Sequence, residues 1–127
     1  MPRKKERRPP VAVGHVFFAA TDVAAAARWF ETVGLRQIAS DDDFAVLELR
    51  GGTHLVVTRA ARRPRRGTEA PFDLMVDDVD AVRRKFIAKG LKPSRMTRGS
   101  IHDEFSLAGP DGYSVTVLSS HAGRRAV

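Results

Sequence analysis

Two stretches decide how this chain folds: Asp22-Val23-Ala24-Ala25-Ala26-Ala27-Arg28-Trp29-Phe30-Glu31-Thr32-Val33-Gly34-Leu35 and, 56 positions later, Asp78-Val79-Asp80-Ala81-Val82-Arg83-Arg84-Lys85-Phe86-Ile87-Ala88-Lys89-Gly90-Leu91. Seven of the fourteen positions are identical, the Asp, Val, Ala, Arg, Phe, Gly and Leu falling at matching places. That is the mark of an internal duplication. Repeat arrays need three or more copies to bury their faces. Only two fit here, so the copies must pack on each other.

Each copy specifies a helix and both of its ends. Asp22 has the short carboxylate that accepts from backbone N–H groups at a helix start. Val23, Ala26, Ala27, Phe30 and Val33 then form an apolar stripe, with Arg28 and Glu31 outside it. Gly34 is placed to leave the helix in the left-handed conformation, and Leu35 to close over the last turn. In the second copy Asp77 or Asp78 caps, Val79, Val82 and Phe86 make the stripe, and Gly90-Leu91 ends it. Trp29 and Phe30, at helical spacing, read as core.

Strand patterns flank both helices. One strand (11–20) precedes the first helix and three (36–40, 44–50, 53–59) follow it, broken at Asp41-Asp42-Asp43 and Gly51-Gly52. In the second copy the strands are 72–76, then 92–98, 101–107 and 113–119, broken at Gly99-Ser100 and Gly109-Pro110-Asp111-Gly112. The order strand, helix, strand, strand, strand occurs twice. The expected fold class is α+β: two tandem βαβββ modules forming a cupped eight-stranded mixed sheet. Residues 11–120 make one domain, with module one at 11–60, a mobile Arg- and Pro-rich linker at 61–70, and module two at 71–120. Residues 1–10 are expected to be a disordered basic tail and 121–127 a second tail holding His121.

Composition agrees with that organisation. A chain of 127 residues with 43% hydrophobic and 7% aromatic residues can bury a single core. The absence of cysteine removes disulfides, thiolate metal sites and cysteine nucleophiles. No apolar run reaches a membrane span and none has the form of a signal peptide, so the cytoplasm is the expected location. Net charge is +7, yet it is concentrated in 3–8, 59–69 and the last few residues. The rest carries 10 basic against 13 acidic residues, a nearly neutral body. The basic runs lack interleaved aromatics for base stacking, and nucleic-acid binding is not expected.

The doubled module resembles the vicinal oxygen chelate superfamily, which groups glyoxalases, extradiol dioxygenases and bleomycin-resistance proteins. The residues carrying the resemblance are Gly14-His15-Val16, Thr21-Asp22-Val23, Trp29-Phe30 and Gly34-Leu35 in the first half. In the second they are Phe72-Asp73-Leu74-Met75-Val76-Asp77-Asp78, Gly90-Leu91 and Gly109-Pro110-Asp111-Gly112-Tyr113. The resemblance implies a cavity between the modules, commonly in a homodimer. In the family's metal-dependent members it also implies one divalent ion, held by four side chains from the first and last strand of each module. An ion so held has open positions where a substrate's adjacent oxygens are polarised.

Those four positions fall on His15, Val56, Pro71 and Thr116. Only His15 is a good donor, since proline and valine have none and a lone hydroxyl holds a dication poorly. No metal and no cofactor are therefore expected. Strand alternation puts His54 on the face of Val56, and Asp73 on the face of Pro71. A displaced His15, His54, Asp73 set is the alternative, and with it lyase, isomerase or dioxygenase chemistry. The leading expectation is a metal-independent protein that binds a small organic ligand through His15, Phe17, His54, Val56, Asp73, Met75 and Thr116, with Val13 and Leu118 completing apolar walls. Whether it is an enzyme stays open at this level, and no catalytic residue is assigned. Glu48 and Glu104 are further carboxylates for such a site. His102 and Asp103 read either as a solvated edge beside the Gly99-Ser100 turn or as a cavity rim.

Overall fold

The computed structural model describes residues 7–120 and 125–127. Most of the expected N-terminal basic tail (1–6), as well as His121 and Arg124, lies outside the described residues. The elements run β1 (His15–Ala20), α1 (Val23–Thr32), β2 (Arg36–Ser40), β3 (Phe44–Glu48) and β4 (His54–Arg59). They continue as β5 (Leu74–Val76), α2 (Val79–Ala88), β6 (Thr97–Arg98), β7 (Asp103–Ala108) and β8 (Ser114–Ser119). Short 3-10 turns at Arg50–Gly52 and Pro110–Gly112 join β3 to β4 and β7 to β8. No helix of the described residues is long and apolar enough to cross a membrane.

The eight strands form two four-stranded sheets with the same order, β1-β4-β3-β2 and β5-β8-β7-β6. In each, the first and last strands of the module are parallel and the other pairings antiparallel. The duplication read from the helices thus extends to the whole topology. Several strands are shorter than their patterns, most of all β6, where 92–98 contributes two residues. Pro93 cannot donate to a ladder, and Ser94 is committed elsewhere, its N–H donating to the Ser106 carbonyl and its hydroxyl oxygen accepting from the Ser106 N–H.

Alternation decides which sheet face is buried. Phe18, Ala20, Ala45, Leu47, Leu55 and Val57 all point to the α1 side and are shut off from solvent. There they meet Val23, Ala26, Ala27 and Phe30, the predicted stripe. Small side chains at 26 and 27 let the helix lie close to the sheet. In module two, Leu74, Phe105, Leu107, Val115 and Val117 meet Val79 and Phe86 in the same way. Trp29 packs edge-on to Phe30 with ring centroids 5.1 Å apart, as core rather than as a ligand contact.

Both helix starts and ends are built as the sequence specifies. The Asp22 and Asp78 carboxylates each accept from the N–H three residues on, at 3.0 Å. At the other end Leu35 N–H donates to Phe30 O, and Leu91 N–H to Phe86 O, with Gly34 and Gly90 at positive φ. Replacing Asp22 or Asp78 by alanine is expected to cost about 1 kcal/mol in each case. Urea unfolding of the two single variants checks this, and an unchanged midpoint would deny the caps their role.

The modules are joined through aromatic rings and polar contacts, among them Lys89 Nζ donating to Thr32 O at 2.8 Å. Phe18 of β1 lies 4.8 Å from Tyr113 and 6.3 Å from Phe72, centroid to centroid. Thr21, just after β1, donates its N–H and its hydroxyl to the Asp111 carboxylate, both at 2.7 Å. Asp77, the residue 56 positions beyond Thr21, meets Arg50 of the other 3-10 turn at 3.0 and 3.3 Å. These are the two halves of one pseudo-symmetric arrangement: the strand end of each module touches the 3-10 turn of the other. In the second half of the linker, Gly67 N–H donates to Gly112 O, and Ala70 N–H to Ser114 O.

Candidate functional site

The face of each sheet turned away from its helix stays open, and the chemistry-bearing side chains lie there. On the first sheet the register sets His15 opposite His54, His54 opposite Glu48, and Glu48 opposite Arg36. One polar row therefore crosses all four strands. Two hydrogen bonds just before β1 fix that register: Thr53 Oγ1 donates to Val13 O at 2.6 Å, and His54 N–H to Gly14 O at 2.9 Å.

The imidazoles of His15 and His54 stand 5.9 Å apart, centroid to centroid. His54 Nε2 is 3.9 Å from Glu48 Oε2, while the other Glu48 oxygen accepts from Arg36. Glu48 is therefore tied on one side to a guanidinium and faces an imidazole on the other. The next row is apolar: Phe17 opposite Val56, and Val56 opposite Val46. Phe17 is 60% exposed and its ring lies 6.3 Å from His15. A third row sets Ala19, Thr58 and Phe44 side by side. This surface offers an aromatic platform bordered by two imidazoles and a carboxylate.

The second sheet holds the other predicted residues, in two places. Asp73 and Thr116 line a shallow depression of about 180 Å³ together with Pro71, Glu69 and Ser114. Met75 lies apart from them, in the floor of a cavity of about 610 Å³ walled by the chain's terminal segments. So His15, Phe17, His54 and Val56 come together, Asp73 and Thr116 come together, and Met75 joins neither group in a cavity. Val13 is exposed beside β1, and Leu118 is opposite Met75 in the sheet.

Side chains at the β6–β7 edge do structural work. His102 Nδ1 is 2.8 Å from Ser119 O, and Asp103 N–H donates to Ser119 Oγ. Arg98 bridges Asp103 and Asp80 of α2. Its hydrogen bonds to Asp80 hold that carboxyl below its ordinary range. Glu104 lies opposite Leu118, on the open face.

Two tandem modules with identical strand order, each with a covering helix on one sheet face and the other face open, define the architecture. It superposes on solved proteins over nearly its whole length. One is the lactoylglutathione lyase of Agrobacterium tumefaciens, with a TM-score of 0.71 and 21% identity over 90% of this chain and 97% of that one. This chain has the vicinal oxygen chelate fold. A glyoxalase/bleomycin resistance protein/dioxygenase from Alicyclobacillus acidocaldarius shares that fold with a TM-score of 0.69 and 21% identity, over 95% of this chain and all of the other. The oxidase ChaP-H2 does so at 0.68 and 18%, over 90% and 100%. No protein-family model matches the sequence, and no curated protein shows a significant match to it.

The metal positions implied by the vicinal oxygen chelate fold do not suit an ion in this chain. Val56 and Pro71 have no donor atom and Thr116 has only a hydroxyl, leaving His15 alone. The displaced alternative is not assembled either: Asp73 lies with Thr116 and Pro71, whereas the carboxylate beside His54 is that of Glu48. Among the described residues no three His, Asp or Glu side chains converge as a metal centre requires. Glu48 and Arg36 join the imidazoles only through cross-strand register. Alternation alone puts Glu48 on the right face, but pairing it with His54 requires knowing how the Arg50–Gly52 turn closes.

Proposed function

We propose that the protein binds a small organic molecule on the open face of its sheets, without a metal, in the manner of the metal-independent glyoxalase/bleomycin-resistance-like proteins. One observation carries the reading: an aromatic and aliphatic platform of exposed Phe17 and half-buried Val56 and Val46 abuts His15, His54 and Glu48. An apolar surface bordered by a few convergent polar groups is the usual character of a small-molecule site. The platform takes the flat apolar body of a ligand. The imidazoles donate to or accept from its oxygens, with Glu48 orienting His54. Phe17 and Met75 are both exposed, and a second copy of the chain laid over these faces would close them into a cup, so the proposed binding unit is a homodimer.

Metal content and ligand response test this together. Protein purified without chelator is expected to carry well under one equivalent of nickel, zinc, iron or manganese, and to melt at the same temperature with and without EDTA. In a thermal-shift screen of small aromatic acids and phenols, ligands that raise the melting temperature should lose that effect in Phe17→Ala and His54→Ala. One equivalent of tightly held metal that disappears in His15→Ala would overturn the metal-free reading. Hits that stabilise both variants as strongly as the wild type would remove the site from this face. Light scattering across a concentration series reads the dimer.

A further inference from the structure

We propose that the loop between the modules is a docking surface for the phosphate backbone of duplex nucleic acid, bound without regard to base sequence. Arg62, Arg63, Arg65 and Arg66 crowd into five residues there, and all four are exposed. Arg63 lies 3.6 Å from the Asp111 carboxylate. The guanidinium groups of Arg62, Arg65 and Arg66 meet no carboxylate among the described residues. Glu69, the nearest acid in sequence, lines the depression shared with Asp73 and Thr116.

The backbone that carries these arginines is held in place. Thr68 donates its N–H and its hydroxyl to Arg65 O, at 3.0 and 2.6 Å. Gly67 N–H donates to Gly112 O and Ser114 N–H to Thr68 O, both at 2.8 Å. The Arg66 stem rests against Gly112, where a Cβ would stand 3.5 Å from it. Cations presented from a pinned loop give up less freedom on binding than cations on a free tail.

What surrounds the arginines chooses the partner. No large apolar side chain is exposed between residues 59 and 71. A protein partner needs aromatic or aliphatic anchors to bury, and stable membrane attachment needs an apolar element beside a basic patch. A single strand needs aromatic rings on which its bases stack, and the loop has none. A duplex needs only cations: it carries one charge per roughly 1.7 Å of axis, and arginine forks fit its phosphates. Missing aromatics therefore weigh against a single strand and not against a duplex. No arginine of the loop belongs to the sheet-face platform, so this surface and that site stand or fall separately.

Fluorescence anisotropy of a short labelled DNA duplex, titrated with the full chain, tests the surface. Between about 50 and 200 mM salt, three phosphate contacts are expected to lower the affinity roughly fortyfold. The Arg62→Gln/Arg65→Gln/Arg66→Gln variant should bind about tenfold more weakly or worse at about 50 mM salt. Its slope of log affinity against log salt should be shallower by about 2 to 3. Arg63 is kept because it adjoins the Asp111 contact between the modules, and the variant should melt with the wild type. Equal duplex affinity in the variant and the wild type would overturn the proposal, handing the phosphates to the basic run at 3–8. Tighter binding of a single strand of the same length would overturn it as well. So would displacement of the duplex by polyglutamate at a lower concentration of charge than by unlabelled duplex, which would assign the arginines to an acidic polypeptide.

Discussion

Replacing Phe18 by alanine is expected to lower the unfolding free energy by about 4 kcal/mol, whereas the same change at Phe17 should cost under about 1 kcal/mol. The two residues are adjacent, identical and on one strand, so propensity and composition cannot separate them. Their faces do. Phe18 is 1% exposed and its ring is enclosed by Phe30 at 5.1 Å, Tyr113 at 4.8 Å and Phe72 at 6.3 Å. Truncating it opens a cavity in the first core and removes the aromatic contact between modules, so the loss is large. Phe17, 60% exposed on the other face, has little burial to lose in a single chain. Urea melts of both variants measure the difference. The proposed homodimer adds a penalty at Phe17 that shrinks on dilution, so the melts are compared at concentrations where the chain is monomeric. A Phe17→Ala loss as large as that of Phe18→Ala under those conditions would overturn the face assignment.

The contrast shows which parts of the structure could be read in advance. Helix starts and ends were legible because each depends on a few adjacent residues: Asp22 reaches only to Ala25, and Leu35 only back to Phe30. Topology was legible because the second copy repeats the first. Face assignment within a strand followed from alternation, which separates Phe17 from Phe18. What could not be read was the relation between strands and between modules. The Arg36, Glu48, His54, His15 row exists only because β3 and β4 pair in one register and β1 and β4 in another. A one-residue slip would dissolve it. In the same way Asp73, just before β5, and Met75, two residues on and within it, look like partners of His15 by parity. They line separate hollows because the modules meet at the strand ends, through Thr21 and Asp111, and the terminal segments come to lie beside Met75.

That meeting point carries the second large effect. Asp111→Ala is expected to cost about 3 kcal/mol, seen as a drop of about 10 °C in melting temperature for a domain of this size. Two causes add. Asp111 adopts φ 57°, a left-handed conformation that Asp tolerates and alanine pays about 1 kcal/mol to enter. Its carboxylate, 6% exposed, accepts both the N–H and the hydroxyl of Thr21 and lies 3.6 Å from Arg63 Nε. Without it, two donors at the module junction lose their acceptor. Two companion variants separate the causes. Asp111→Gly removes the carboxylate but relieves the backbone, so it reports the latch alone and should lose about 2 kcal/mol. Asp111→Asn keeps the backbone preference and one acceptor oxygen, and should fall between glycine and the wild type. The pseudo-symmetric contact sets the scale. Arg50 and Asp77 have side chains 54% and 76% exposed, so breaking that pair by Asp77→Ala should cost under about 1 kcal/mol. A glycine variant as stable as the wild type would show that the latch contributes nothing and that the aromatic contacts alone hold the modules. If the latch does hold them, Asp111→Gly should also weaken ligand binding at the sheet face, more than 10 residues of strand and turn away in sequence from any ligand contact in module one, because the relative placement of the two open faces would no longer be fixed.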